Sequence, residues 1–468
     1  MWHRSREVFR GVVSLPLEDG GFPSRTHCGR RLMSNLPFGF TPPEPEGGLP
    51  DGMDLGRMLQ DLGRMMSSAG TGPVSWDAAT EAIGQGLAAS GNPGLADADR
   101  TSVTDAVRIA DVWLDDATSL PATAASASAW SRGEWIDRTM PAWKRLIEPL
   151  ALRVQDAMSA SVSGLGVGDM PEGLDPMTQQ LVGQLMGAMK PIGAYMFGTQ
   201  VGSGLASLAT EVLSAGDVGI PLTDDGRPSL VPTNITAFGA GLGIASEDVL
   251  LFAALRESAH QRLFAHVPWL RSRVLAAVEE YAAGIDIDTE KIRDLAGNMD
   301  PSNPAALQEA LNGGMFDVEP TPAQEAALAR LETLLALTEG WVDHVVRAAA
   351  AGRLPAADAL GEAVRRRRAV GGPAEKTFES LVGLELRPKR LREAAALWDE
   401  LLAVRGGTGR DAVWEHPDLL PTAADLDDPS GFVRGSAPSD FDDISDLGLD
   451  QPMSRDGSDD PPTDDAQE

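Results

Sequence analysis

The feature that most constrains the fold of this chain is a long succession of helical patterns that begins at Trp76. In each stretch apolar residues recur at helical spacing, Pro or Gly separates it from the next stretch, and Ser, Thr or Asp often precedes it. Ala, Gly and Leu dominate, which favours helix over sheet. We therefore predict a mainly α fold, with helices over 77–90, 101–118, 142–161, 176–215, 247–266, 268–283, 304–312, 322–350, 356–369 and 373–404.

One segment interrupts the helical patterns with an extended one. Val218–Leu222 and Ser229–Pro232 flank a polar stretch with Asp225 and Gly226 at the expected turn. This arrangement predicts a short β-hairpin, and its prolines confine it to an edge or an irregular position. A free edge here would be a candidate for binding an extended peptide by strand addition.

The two ends of the chain differ in composition from the helical core. Residues 1–32 are Arg-rich and lack periodicity, so they are either an overextended gene start before Met33 or a genuine leader. We predict a flexible N-terminal region over 1–75, a helical domain over 76–422 and a disordered acidic tail over 423–468.

The charge balance narrows the classes of partner. The chain has 39 basic and 69 acidic residues, a formal net charge of -30, and this excess repels nucleic acid and anionic membranes. Within it, Arg365–Arg368 are expected to form a solvated helical face. A single cysteine, Cys28, indicates a reducing compartment, and with no secretory signal visible we expect a cytoplasmic location.

An uncharged stretch over 191–210 is the best candidate for a membrane span. Its glycines and polar residues make it only mildly apolar, so we predict a buried helix instead. Gly198, Gly202 and Ala206 are spaced one turn apart and should let a neighbouring helix approach closely.

The candidate chemistry lies on the predicted helix over 247–266, in the stretch Arg-Glu-Ser-Ala-His from Arg256 to His260. A zinc peptidase places two His ligands at i and i+4, and the Glu after the first His acts as the base. Glu257 and His260 match the base and the second ligand. Arg256 stands in the position of the first ligand, and a cation there would repel zinc.

A second pair of carboxylates lies inside the apolar stretch of the predicted helix over 322–350. Glu339 and Asp343 are one turn apart on one face. This spacing resembles the Glu-x-x-x-Asp arrangement of gluzincins, in which the Glu is the third ligand and the Asp orients a ligand His. His266 is a rival third ligand, but the glycine turn of a metzincin motif is missing.

Several motifs resemble those of a bacterial family of zincin-like hydrolases, the zincin-like metallopeptidases of type 2. These motifs are Phe197–Gln200, Ala259–Phe264, Val267–Arg271, Glu339–Asp343, Gly371–Phe378 and Leu384–Pro388. The family is similar to a group associated with biosynthesis of a deazaflavin cofactor, in which the full His-Glu-x-x-His motif occurs. The resemblance covers about residues 33–433. It implies a helical zincin-type fold and a hydrolase or metallopeptidase activity without an established substrate.

Two functions follow as hypotheses. In the first, the chain is a zinc-dependent hydrolase of a peptide or protein, with Glu257 as base, His260 and Glu339 as zinc ligands and Asp343 as the orienting residue. In the second, it is a catalytically inactive interaction protein on the zincin scaffold. Arg256 then replaces the metal by bridging carboxylates in a buried polar network.

Overall fold

The computed structural model describes residues 72–162, 176–284, 321–369 and 390–435 of the chain. The prediction of a mainly α fold is confirmed. The helices are α1 (Trp76–Ser90), α2 (Asp97–Leu114), α3 (Arg132–Val162), α4 (Pro176–Ala209), α5 (Pro232–Gly239), α6 (Ser246–His266), α7 (Pro268–Ala283), α8 (Pro322–Ala350), α9 (Ala357–Ala369), α10 (Leu391–Asp411), α11 (Ala423–Asp427) and α12 (Pro429–Gly435). Two short 3₁₀ turns, Ala412–Trp414 and Pro417–Leu419, follow α10. The predicted helix over 304–312 and the first part of the one over 373–404 lie outside the described residues.

Helices α6 and α8 form the centre of the molecule. Every residue from 252 to 263 on α6 is buried, and so is every residue from 333 to 342 on α8. A helix that is buried on all sides is a core helix. The polar side chains on these two helices must therefore find partners inside the protein, because an unsatisfied buried charge is strongly unfavourable.

The start of α8 explains why the site-bearing helix begins where the sequence predicts. The Thr321 side chain accepts a hydrogen bond from the Gln324 backbone, and the Gln324 side chain accepts one from the Thr321 backbone. This reciprocal cap satisfies two of the unpaired donors at the helix start. Pro322 occupies the first turn, where its missing N–H costs no helical bond.

The small residues of α4 allow a close approach to α1, as predicted. A Cβ at Gly198 would lie 2.1 Å from the Ser75 carbonyl oxygen, and one at Gly202 would lie 2.2 Å from the Ala79 carbonyl oxygen. Neither distance leaves room for a side chain. Among the described helices, none combines the length and the apolar character that crossing a membrane requires.

The small β element is present, but the predicted pairing within it is wrong. β1 (Ser128–Ala129) and β2 (Ser229–Leu230) pair in parallel, and Ser214 pairs with Leu230 in antiparallel fashion on the other side. Residues 218–220 form turns and bends and 221–222 are irregular, so this segment is not a strand. Because both sides of β2 are occupied, β2 has no free edge for a peptide.

The physical reason lies in the turn that precedes residue 220. The Asp217 carboxylate accepts the Leu213 N–H, and the Gly219 N–H donates to the Gly216 carbonyl. Gly219 has φ +82°, a left-handed conformation that favours glycine and ends an extended run. This turn carries the chain over α6 rather than alongside β2.

The start of the predicted acidic tail is folded. α11 and α12 lie within residues assigned to that tail, and they bury Leu426 and Val433. The sequence did not predict these helices, because only these two buried apolar residues stand among many aspartates. At the other end, Val74 and Ser75 are buried although they fall within the predicted flexible region. Residues 1–71 and 436–468 lie outside the described part of the chain.

Candidate functional site

Helices α6 and α8 bring three of the predicted site residues into direct contact. Arg256 Nη2 lies 2.7 Å from Glu339 Oε2, and His260 Nε2 lies 3.0 Å from Glu339 Oε1. Arg256 and His260 are one helical turn apart, so both side chains leave α6 on the face that meets α8. All three side chains are almost fully buried. The expected juxtaposition of His260 with Glu339 is therefore present.

A fourth group, which the sequence did not reveal, completes this cluster. Arg368, near the end of α9, places Nη1 3.0 Å from Glu339 Oε2. One carboxylate oxygen thus faces two guanidinium groups, and the other faces an imidazole. We call Arg256, His260, Glu339 and Arg368 the buried ion network.

The charges of this network hold Glu339 in its ionised form. Burial by itself would raise the pKa of the Glu339 carboxyl. Arg368, His260 and Arg256 outweigh burial and lower the pKa far below its usual range. Glu339 is therefore a carboxylate at neutral pH, and two guanidinium groups balance its charge.

Glu257, the predicted base, is hydrogen-bonded to groups outside the buried ion network. Its carboxylate accepts hydrogen bonds from the Gly216 N–H at 2.9 Å, the Ser229 N–H at 3.1 Å and the Gln261 side chain at 2.9 Å. Burial raises the pKa of Glu257, and hydrogen bonds from Ser214, Gly216 and Ser229 oppose that rise. In this arrangement Glu257 joins α6 to the turn at 216 and to β2.

Asp343, the predicted orienting residue, contacts arginines in place of a histidine. Its carboxylate lies 3.3 Å from Arg365 Nη1 and 4.0 Å from Arg256 Nη1. In the part of the chain that the structure describes, no contact joins Asp343 to His260. The rival ligand His266 is also outside the network. It is the last residue of α6, and its ring bonds the Pro121 carbonyl.

The expectation of a solvated arginine face is wrong for three of the four arginines of α9. Arg365 and Arg368 reach Asp343 and Glu339, and Arg367 Nη2 donates to the Glu211 carbonyl at 2.6 Å and lies 3.4 Å from Asp217. Only Arg366 is largely exposed, at 77% of its side chain. The prediction failed because carboxylates lie beneath these arginines. The sequence alone does not show which carboxylates fold against α9.

Two glycines close the network from the side of the 214–219 turn. A Cβ at Gly219 would lie 2.7 Å from Glu339 Oε1, and a Cβ at Gly216 would lie 2.8 Å from His260 Cβ. The backbone of the turn is therefore in contact with the histidine and the carboxylate. A larger residue at either position would have to displace the network.

The donors present at this site do not fit the zinc that the resemblance implies. Over the described ranges, no group of three or more His, Cys, Asp and Glu side chains is placed to hold a metal ion. The one histidine and one carboxylate that meet here share their space with two guanidinium groups. A divalent cation between them would face two fixed positive charges at contact distance.

The hydrogen bonding of His260 is also a poor fit to a zinc ligand. With Glu339 ionised, the 3.0 Å hydrogen bond assigns the proton to His260 Nε2, so in this arrangement that nitrogen is a donor and offers no lone pair to a metal. Its Nδ1 is buried and has no hydrogen-bond partner among the described residues. A histidine that ligates a metal usually donates from its second nitrogen to a carboxylate, a carbonyl or water.

Comparison with known proteins identifies the fold and the family. A solved structure described as "a putative hydrolase with a novel fold", from Chloroflexus aurantiacus, matches with a TM-score of 0.54 and 20% sequence identity, and the match covers 77% of this chain and 98% of that chain. At this identity the likeness concerns the fold alone. Comparison with curated proteins gives no match. The family model described as "Zincin-like metallopeptidase" matches residues 74–433, which is most of the chain. The chain therefore belongs to the zincin-like metallopeptidase family.

Proposed function

We propose that this chain is a non-catalytic interaction protein on a zincin scaffold, in which Arg256 takes the place of the metal. The observation that carries the proposal is the contact of two guanidinium groups, Arg256 and Arg368, with one oxygen of Glu339. A guanidinium can satisfy a buried carboxylate as a metal ion does, and it keeps its charge at any physiological pH.

The surroundings of Glu257 support the same proposal. A general base needs a free oxygen that faces the attacking water. Each Glu257 oxygen accepts at least one N–H bond, from Gly216 or from Ser229 and Gln261. The Glu257 side chain is also fully buried, so an attacking water would first have to enter the core beside it.

The experiment that tests the proposal is a gain of zinc binding. We expect zinc titration of the wild-type chain and of Arg256→His to give weak binding, because Arg368 remains on Glu339 in both. The double variant Arg256→His/Arg368→Ala removes both cations and restores the i, i+4 histidine pair, so it should bind zinc more tightly. Arg366→Ala is the matched control, since it removes an exposed arginine of the same helix. Equal zinc affinity in the wild type and the double variant would contradict the proposal.

A second candidate is a zinc-dependent hydrolase of a peptide or protein substrate. The family match and the fold shared with the Chloroflexus aurantiacus structure support it. In that case His260 and Glu339 would be ligands, Glu257 the base and Asp343 an orienting residue. Arg256 and Arg368 would first have to withdraw from Glu339. A peptidase activity that requires zinc and is lost in Glu257→Ala would favour this candidate.

The single cysteine supports a reducing compartment such as the cytoplasm for either function.

A further inference from the structure

Helix α9 is attached to the molecule mainly by its charges. Its side chains bury only Leu360 and Val364 as sizeable apolar groups. Three arginines of α9 contact acidic partners on two separate elements, namely α8 and the turn at 211–217. We call Arg365, Arg367 and Arg368 the arginine clasp.

The contacts of the clasp are short and partly buried. Arg368 bonds Glu339 and, through Nη2, the Asp217 backbone carbonyl at 2.6 Å. Arg367 contacts the Asp217 carboxylate, and Arg365 contacts Asp343. Asp217 shows the strength of this field, since burial would raise its pKa but Arg367 and Arg368 lower it.

The two carboxylates of α8 under the clasp keep a cation when the clasp is removed. Glu339 retains Arg256 and His260, and Asp343 retains Arg256 at 4.0 Å. The arginines that leave become hydrated. Release therefore leaves no carboxylate on α8 without a positive neighbour, whereas Asp217 loses both of its paired arginines. The penalty for an unpaired charge is confined to that one carboxylate. The Arg256 position is thus what makes a second, open arrangement accessible.

We propose that α9 is a detachable cover over the Glu339–His260 pair, held closed by the arginine clasp. Detachment of α9 exposes the pair, together with Arg256, to a ligand or partner. The cover would regulate access to the site discussed under the proposed function. The inference rests on the proposed function in one respect: Arg256, rather than zinc, is the cation that stays on Glu339.

The experiment measures the accessibility of individual histidines in the full chain. Diethyl pyrocarbonate acylates exposed imidazoles, and mass spectrometry of peptides gives a rate for each histidine. His260 is 1% exposed and should react slowly in the wild type, whereas His416, with 63% of its side chain exposed, is the internal standard. In Arg368→Ala we expect the His260 rate to rise about tenfold or more, because removing a buried charge pair lowers the free energy of local opening.

Two controls separate detachment of α9 from other effects. Arg366→Ala should leave the His260 rate at the wild-type value, since Arg366 pairs only with Glu362 in the described residues. His344 is also buried, but its ring contacts Asp399 of α10, so its rate should stay low in every variant unless the whole protein unfolds. Amide hydrogen exchange of α9 should accelerate with the His260 rate, while that of α8 should not.

The possible results decide the proposal. An unchanged His260 rate in Arg368→Ala, with α9 amides as protected as those of α8, would overturn it. If His260 and His344 accelerate together, the variant has unfolded, and the wild type at rising NaCl replaces it. Salt should then raise the His260 rate and leave His344 unchanged, because salt weakens the partly exposed pairs of α9 more than the core; no rise would overturn the proposal. Failure of the proposed function is distinct, since it would appear as stoichiometric zinc in the wild type.

Discussion

Removing the guanidinium of Arg256 should destabilise the fold by a definite amount. Arg256→Met keeps most of the side-chain volume and takes away one of the three partners of Glu339. Breaking a buried ion pair by removing one partner costs about 3–5 kcal/mol. Here Glu339 retains Arg368 and His260, each at 3.0 Å. We therefore expect a loss of about 2–3 kcal/mol in the free energy of unfolding, below the full penalty.

Replacing the shared carboxylate should cost more than replacing one guanidinium. Glu339→Gln leaves Arg256 and Arg368 both facing a neutral amide, so two buried cations lose their main counter-charge, and we expect about 3–5 kcal/mol. The matched control, Arg366→Ala, removes an exposed arginine and should cost about 0–1 kcal/mol.

Urea unfolding at neutral pH measures these differences as shifts in midpoint at a constant m value. In a double-mutant cycle, Arg256→Met/Glu339→Met should lose less free energy than the sum of the two single Met variants, because the two residues contact each other. The reasoning would be refuted if Arg256→Met unfolded within about 0.5 kcal/mol of the wild type, the range of a surface substitution.

Three further predictions concern the surroundings of the network. Glu257→Gln should lose about 2–4 kcal/mol in urea unfolding, since an amide NH₂ would face buried N–H donors; wild-type stability would mean that Glu257 does not join α6 to the turn and β2. Burial and the Arg410 guanidinium lower the pKa of His344, so the folded state binds fewer protons than the unfolded chain. The stability that depends on His344 should be full above about pH 6.5 and decrease as the pH falls below it, and His344→Gln should reduce that decrease. Gly219→Ala should cost more than Gly352→Ala, because both have positive φ but only Gly219 has a carboxylate oxygen where the Cβ would be; equal melting temperatures would argue against the close contact.

The sequence was most informative where periodicity and local spacing determine the structure. The bounds of the central helices depend on residues near one another in the chain. The close packing at Gly198 was recognisable from the one-turn spacing of small residues, although its partner, Ser75, lies far away in the sequence. The approach of His260 to Glu339 was also predicted, because each residue lies on the buried face of a long apolar helix. Such features do not require knowledge of the full tertiary arrangement.

The sequence was least informative where charged residues find partners far along the chain. Arg368 lies near the network only because α9 folds back over α6 and α8, and no local pattern distinguishes it from the exposed Arg366. The pairing of β2 with β1 likewise joins residues 128 and 229, which are far apart in the sequence. A hairpin pattern predicts pairing only between segments that follow one another closely. Glu257 illustrates the same limit, since its position in the motif suggested a base but did not show its hydrogen bonds to the Gly216 and Ser229 backbone.

The zinc content of the purified wild-type chain tests the central claim most directly. The protein would be incubated with excess zinc, dialysed against metal-free buffer and examined by elemental analysis, with His260→Ala as a control that assigns any metal to this site. If Arg256 and Arg368 occupy Glu339, zinc should remain far below one ion per chain and should not differ between the two proteins. Zinc bound in a one-to-one ratio by the wild type and lost in His260→Ala would contradict the replacement of the metal by arginine.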